Sequence, residues 1–125
     1  MKRNVLIETT KGFNLDEKTL SDFERRNVSK ALNELIKSAR EELWPRRLYR
    51  SGNLSFPNTI SQKDSSLYMF KATNKFRIIL TFDEDPIFNQ RIIQLCRIAT
   101  MANSAKVFNS VADLLYKNES QTVER

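Results

Sequence analysis

Residues 67–100 read LYMFKATNKFRIILTFDEDPIFNQRIIQLCRIAT, and this stretch decides the fold. Its apolar residues are mostly β-branched or aromatic and fall into short runs separated by turn formers, which is how strands are written. Leu67 to Ala72 is the first run, Thr73-Asn74-Lys75 a turn, and Phe76 to Phe82 the strongest strand. Asp83-Glu84-Asp85-Pro86 is expected to break that strand, and Arg91 to Thr100 forms the next. Strands joined by connections this short pair most simply as an antiparallel meander.

Working outward, Asn4 to Thr10 (NVLIETT) is a further strand, bounded by Lys11-Gly12. A helical stretch opens at Leu15-Asp16-Glu17, with acids in its first turn as the helix dipole favours. Arg25-Arg26-Asn27 reads as a break, after which Asn27 or Ser29 caps a second helix. Val28, Ala31, Leu32, Leu35, Ile36, Ala39 and Leu43 recur on one helical face, and Pro45 ends the helix at Trp44. From Arg46 to Ser66 the pattern dissolves into a Ser- and Asn-rich loop with Pro57 inside it. Asn103 or Ser104 caps a last helix with Val107, Phe108, Val111, Leu114 and Leu115 on its apolar face, and a polar tail follows from Asn118.

The order β-α-α-β-β-β-α predicts one α+β domain over residues 1–125, its ordered core spanning about 4–117, with helices on one face of a mainly antiparallel sheet. A chain of 125 residues with 40% apolar side chains can bury such a core without disulfide or metal staples.

Composition narrows the chemistry. There are no histidines, one cysteine and two glycines. That excludes Ser-His-Asp and Cys-His nucleophile pairs, His- or Cys-based zinc sites within one chain, and glycine-rich phosphate loops. Any catalysis runs on Lys, Arg, Tyr, Asp, Glu or hydroxyls, and no cofactor or metal is implied. Cys96, inside an apolar run, reads as a buried small hydrophobe. Twenty-one basic residues against fifteen acidic give a formal charge of +6 and a pI near 9.7. The excess favours polyanions: nucleic acid, the ribosome, an anionic membrane surface or an acidic protein. No apolar stretch approaches a membrane span, and Met1 to Thr10 is too short in apolar residues for a signal peptide, so a cytoplasmic location is expected.

Three clusters carry candidate chemistry. Lys71 and Lys75 flank the turn, Arg77 lies on the next strand, and Arg91 and Arg97 on the following one. If Arg77 pairs near Arg97, the two guanidiniums share a face and bracket a phosphate. The competing reading is that strand arginines pair with acids or snorkel at the sheet edge. Arg40, Arg46, Arg47 and Arg50 surround Trp44 and Tyr49, a mixture suited to phosphate contact and base stacking. Against it stands a helix C-terminus that simply collects cations. Asp83-Glu84-Asp85 could hold Mg²⁺ with a phosphate, but its place before Pro86 argues for a solvated turn.

The element order, with Leu67-Tyr68-Met69-Phe70-Lys71 followed by Phe76-Arg77-Ile78-Ile79-Leu80, resembles the RelE/ParE superfamily of type II toxin–antitoxin toxins. Arg47-Leu48-Tyr49-Arg50 after the long helix and Ser104-Ala105-Lys106-Val107-Phe108 opening the last one are similar to it as well. The resemblance covers about residues 4–117. It implies a small basic toxin silenced by an antitoxin protein. A RelE-like member is an endoribonuclease that cleaves messenger RNA on the ribosome; a ParE-like member is a non-nuclease that poisons DNA gyrase. A third possibility is a non-toxic nucleic-acid-binding module of the same fold.

Position by position, the resemblance makes Arg77 the arginine that holds the phosphate at the cleavage site and Lys71 one of the strand lysines, these two being the catalytic candidates. Arg50 matches a basic residue after the helix pair. With Arg46, Arg47, Lys75 and Arg97 it completes the expected RNA-binding set. The departures lie on the proton-transfer side. Met69 stands where a second strand lysine is expected, Ala102 near an expected arginine, and Phe108 in place of a tyrosine, with Tyr68 or Tyr116 as stand-ins. Cleavage through a 2′-hydroxyl needs a base and an acid, so the resemblance implies weakened catalysis.

Overall fold

The computed structural model describes residues 3–41, 43–50 and 66–123, with side chains through residue 115. Most of the expected Arg46–Ser66 loop, and the Tyr116 side chain, lie outside that set. The elements are β1 (Asn4–Thr9), α1 (Lys11–Lys18), α2 (Asp22–Arg40), β2 (Leu48–Tyr49), β3 (Leu67–Lys71), β4 (Phe76–Asp85), β5 (Gln90–Thr100) and α3 (Ser104–Val123). A 3₁₀ turn, Met101–Asn103, leads into α3. The fold is α+β, with three helices on a five-stranded mixed sheet in the order β1-β5-β4-β3-β2.

The meander over β3, β4 and β5 is antiparallel as the sequence predicts. β1 joins the far side of β5 in parallel, the return being made through α1 and α2. The two-residue β2 pairs with β3 and is too short to leave a sequence pattern. The acidic run does not break β4; Asp83, Glu84 and Asp85 continue it opposite Ile92, Arg91 and Gln90. Each carboxylate has a role there. Asp83 accepts from the Ser66 hydroxyl, Glu84 meets Arg3 and Arg91, and Asp85 Oδ1 accepts from the Ile87 and Phe88 amides to cap the hairpin turn.

Helix boundaries also move. α1 begins four residues before Leu15, because the Thr10 hydroxyl accepts from the Phe13 amide at 3.1 Å; Asp16 and Glu17 therefore end the helix instead of opening it. Gly12 suits this start, since a Cβ there would meet Arg97 Cδ at 2.8 Å. No break falls at residues 25–27. Ser21 and Glu24 form a reciprocal capping box, so α2 begins at Asp22. It ends at Arg40, ahead of Trp44, where the Arg91 guanidinium takes the carbonyls of Ala39 and Leu43.

The sheet is covered on both faces, not one. Phe76, Ile78, Leu80 and Phe82 face Val28, Ala31, Leu35 and Ala39 of α2 and Phe13 of α1. On the opposite face Leu67, Met69, Ile79, Cys96 and Ala99 pack under Phe108, Val111 and Ala112 of α3, with Val107 and Leu115 at its margin. β4 is buried on both sides from Phe76 to Leu80, and a strand apolar on both faces needs both covered. Leu114 points outward instead. No helix among the described residues is long and apolar enough to cross a membrane.

Candidate nucleic-acid interface

The β3–β4 register sets Lys71 directly opposite Arg77. Alternation places both on the α3 side, continuing the row Leu67, Met69 and Ile79. Between them the chain turns through Thr73, whose hydroxyl accepts from the amides of Lys75 at 3.2 Å and Phe76 at 3.0 Å. Arg77 folds back on this turn, its Nη1 donating to the carbonyls of Thr73 (2.7 Å), Phe76 (3.2 Å) and Asn74 (3.4 Å). Arg77 is only 8% exposed, while Lys71 is half-buried. Among the described residues neither is ion-paired. Two cations facing each other across a ladder repel, and an anion over the pair relieves that repulsion. Lys71 is the more exposed cation; Arg77 is a fixed charge on the neighbouring strand.

The other predicted site residues have partners of their own. Arg77 stands opposite Ala99, and Arg97 opposite Ile79. A bulge at Cys96 breaks the alternation of β5, and Arg97 turns to Asp16 of α1 through Nε at 2.7 Å and Nη2 at 3.1 Å. Those hydrogen bonds hold the guanidinium still more firmly protonated. Arg97 thus lies diagonal to Arg77 on one face but is held by Asp16, while Arg77 is held by the 73–76 turn. Lys75 reaches across to Glu24 of α2 at 2.7 Å, and that bond, with the Ser21 amide, keeps the Glu24 carboxyl below the ordinary carboxylate range.

Arg47 and Arg50 are on the α2 side. Arg47, with φ 67°, bonds Glu34 and the Ala72 carbonyl and lies over Phe70. Arg50 donates to the Tyr68 hydroxyl at 2.8 Å and lies over its ring. Arg46 is exposed beside buried Pro45. Tyr68 also meets Trp44 and Phe82 edge-on, so it belongs to this aromatic patch and faces away from Lys71. Trp44 is 54% exposed, an open ring between cations. The Arg–aromatic interleaving of residues 44–50 was the signal for this patch; nothing in the sequence links Asp16 to Arg97, 81 positions apart.

The position where the resemblance implies a tyrosine, Phe108, is 1% exposed and lies in the core under α3. Ala102 is exposed on the 3₁₀ turn. Cys96 is buried, and burial pushes its thiol up to about 11. No family model matches the chain, and no curated protein matches it.

Proposed function

We propose that the protein is a RelE-like, RNA- and ribosome-directed toxin whose phosphate contact is made by Lys71 beside the fixed charge of Arg77. The observation that carries this reading is the cross-strand pair of cations on one sheet face, neither of them ion-paired among the described residues. With a formal charge of +6 on the chain, such a pair favours a phosphate backbone. Messenger RNA cleavage is weak under this reading, because among the described residues no acid–base pair adjoins Lys71: Tyr68 faces the other way and Phe108 is core. Burial of Phe108 is also what favours the second reading, a ParE-like non-nuclease acting on a protein target such as gyrase. Under either reading an antitoxin silences the protein in the cytoplasm. The apolar face of α3 is engaged with its own sheet, which leaves strand edges as the docking surfaces.

The test is induced expression with ribosome sedimentation and primer-extension mapping of transcripts. Growth arrest, co-sedimentation with ribosomes and sparse cleavage are expected. Growth arrest without ribosome association would transfer the assignment to the non-nuclease reading, and normal growth would end both.

A further inference from the structure

The register divides the aromatic–arginine cluster of residues 44–50 between the two faces of the sheet. Leu48 pairs with Phe70, and Tyr49 with Met69. Side chains directly opposite each other in a ladder share a face. Leu48 and Phe70 belong to the α2 core, whereas Met69 packs under α3. Tyr49 therefore sits on the α3 side with Lys71, away from Trp44, Arg47 and Arg50. The Lys71 amide donates to the Arg47 carbonyl at 2.9 Å, so β2–β3 pairing extends to Lys71. Lys71 then occupies the diagonal position to Tyr49, about 7–8 Å away in an antiparallel ladder. Burial along this row falls off at the sheet edge: Met69 is 2% exposed and Tyr49 40%, because β2 is the outermost described strand on that side. Trp44 and Tyr68 pack edge-on against each other. Among the described residues the Tyr49 ring meets no other ring and no cation, and its hydroxyl has no hydrogen-bond partner.

Resting on the phosphate reading of Lys71 given above, we propose that Tyr49 is the stacking platform beside that contact: an unpaired nucleobase lies on the phenol ring while an adjoining phosphate meets Lys71. One nucleotide spans the diagonal, with its phosphate at one end and its base at the other. The two contacts differ in kind. The phosphate contact is screened by salt, whereas stacking is not. Stacking accepts every base, since each has a π face, so the pair selects single strands without reading sequence. A duplex offers the same phosphates but keeps its base faces stacked on one another, and would use Lys71 alone.

The probes are a short oligoadenylate and an abasic ribose-phosphate chain of the same length, each titrated into the full chain over a range of salt. Wild type should prefer the oligoadenylate by about tenfold or more, the range for one stacked base. Tyr49→Leu keeps apolar bulk at an exposed edge position but loses the π face. It should bind the two probes alike and keep the wild-type salt slope. Tyr49→Phe should behave as wild type. Lys71→Ala should lower the slope and retain the preference for bases, which separates the two contacts. A base preference that survives in Tyr49→Leu would overturn the proposal. So would its loss in Trp44→Leu alone, which would put the stack on the α2 face, or a Tyr49→Phe as weak as Tyr49→Leu, which would give the contact to the hydroxyl. Each of those results leaves the phosphate reading standing. Salt-independent binding, or no binding of either probe, would end both.

Discussion

Lys71 and Arg77 stand opposite each other across the β3–β4 ladder, yet among the described residues only the Arg77 side chain is tied down, one guanidinium nitrogen taking the carbonyls of Thr73, Asn74 and Phe76. The two cations should therefore respond differently to removal. Arg77→Ala strands carbonyls next to a buried strand and is expected to cost about 1–3 kcal/mol in denaturant unfolding. Lys71→Ala removes a like-charge neighbour and should stay within about 0.5 kcal/mol of wild type. Equal destabilisation by both would show that Lys71 has a structural partner.

Phe108→Tyr places a hydroxyl where the resemblance implies one, but into the apolar cluster of Leu67, Met69, Ile79 and Cys96. An unpartnered buried hydroxyl should cost about 1–3 kcal/mol. Ribosome-dependent cleavage should not rise, even when Ala102→Arg is added. A gain in cleavage with unchanged stability would return Phe108 to the site.

Cys96, 6% exposed with its thiol raised to about 11, should resist thiol reagents at pH 8 in the native protein. Labelling is expected to track unfolding as denaturant is added. Rapid native-state labelling would mean that the α3 layer opens readily from the sheet.

Glu24 gives a signed pH effect. Its folded-state pKa is lowered by the hydrogen bond from Lys75. The stability it contributes is thus present above the ordinary carboxylate range and lost as pH falls through the depressed value. Wild type should exceed Glu24→Gln in stability near neutrality, and the two should converge in acid. A gap that widens on acidification would contradict the assignment.

The meander was legible because Phe76 to Phe82 and Arg91 to Thr100 carry strand composition in uninterrupted runs, and the α2 face because Val28, Ala31, Leu35 and Ala39 keep the helical period. What was not legible depends on distant partners. The Thr10 and Ser21 caps compete with equally plausible Asn27 and Ser29, and only the packed chain decides between them. Acids at 83–85 look like a turn until Arg3 and Arg91 are set beside Glu84. The second helical layer was implied by Ile79 and Cys96, apolar residues on the strand face opposite Ile78 and Leu80, but a single run cannot say which helix covers them. For the site, Lys71 and Arg77 follow from a short turn and strand alternation. The Cys96 bulge, which turns Arg97 to Asp16, leaves no sequence mark.

The central claim is that Lys71 meets phosphate, and salt-dependent binding tests it most directly. Affinity for a labelled single-stranded RNA is measured for wild type and Lys71→Ala from low to physiological salt. Counterion release makes log affinity fall against log salt with a slope of about −0.7 per phosphate contact on single strands. The account predicts a steep slope for wild type and one shallower by about 0.7 in Lys71→Ala, with the fold intact. Binding that ignores salt, or a slope unchanged by the substitution, would contradict it.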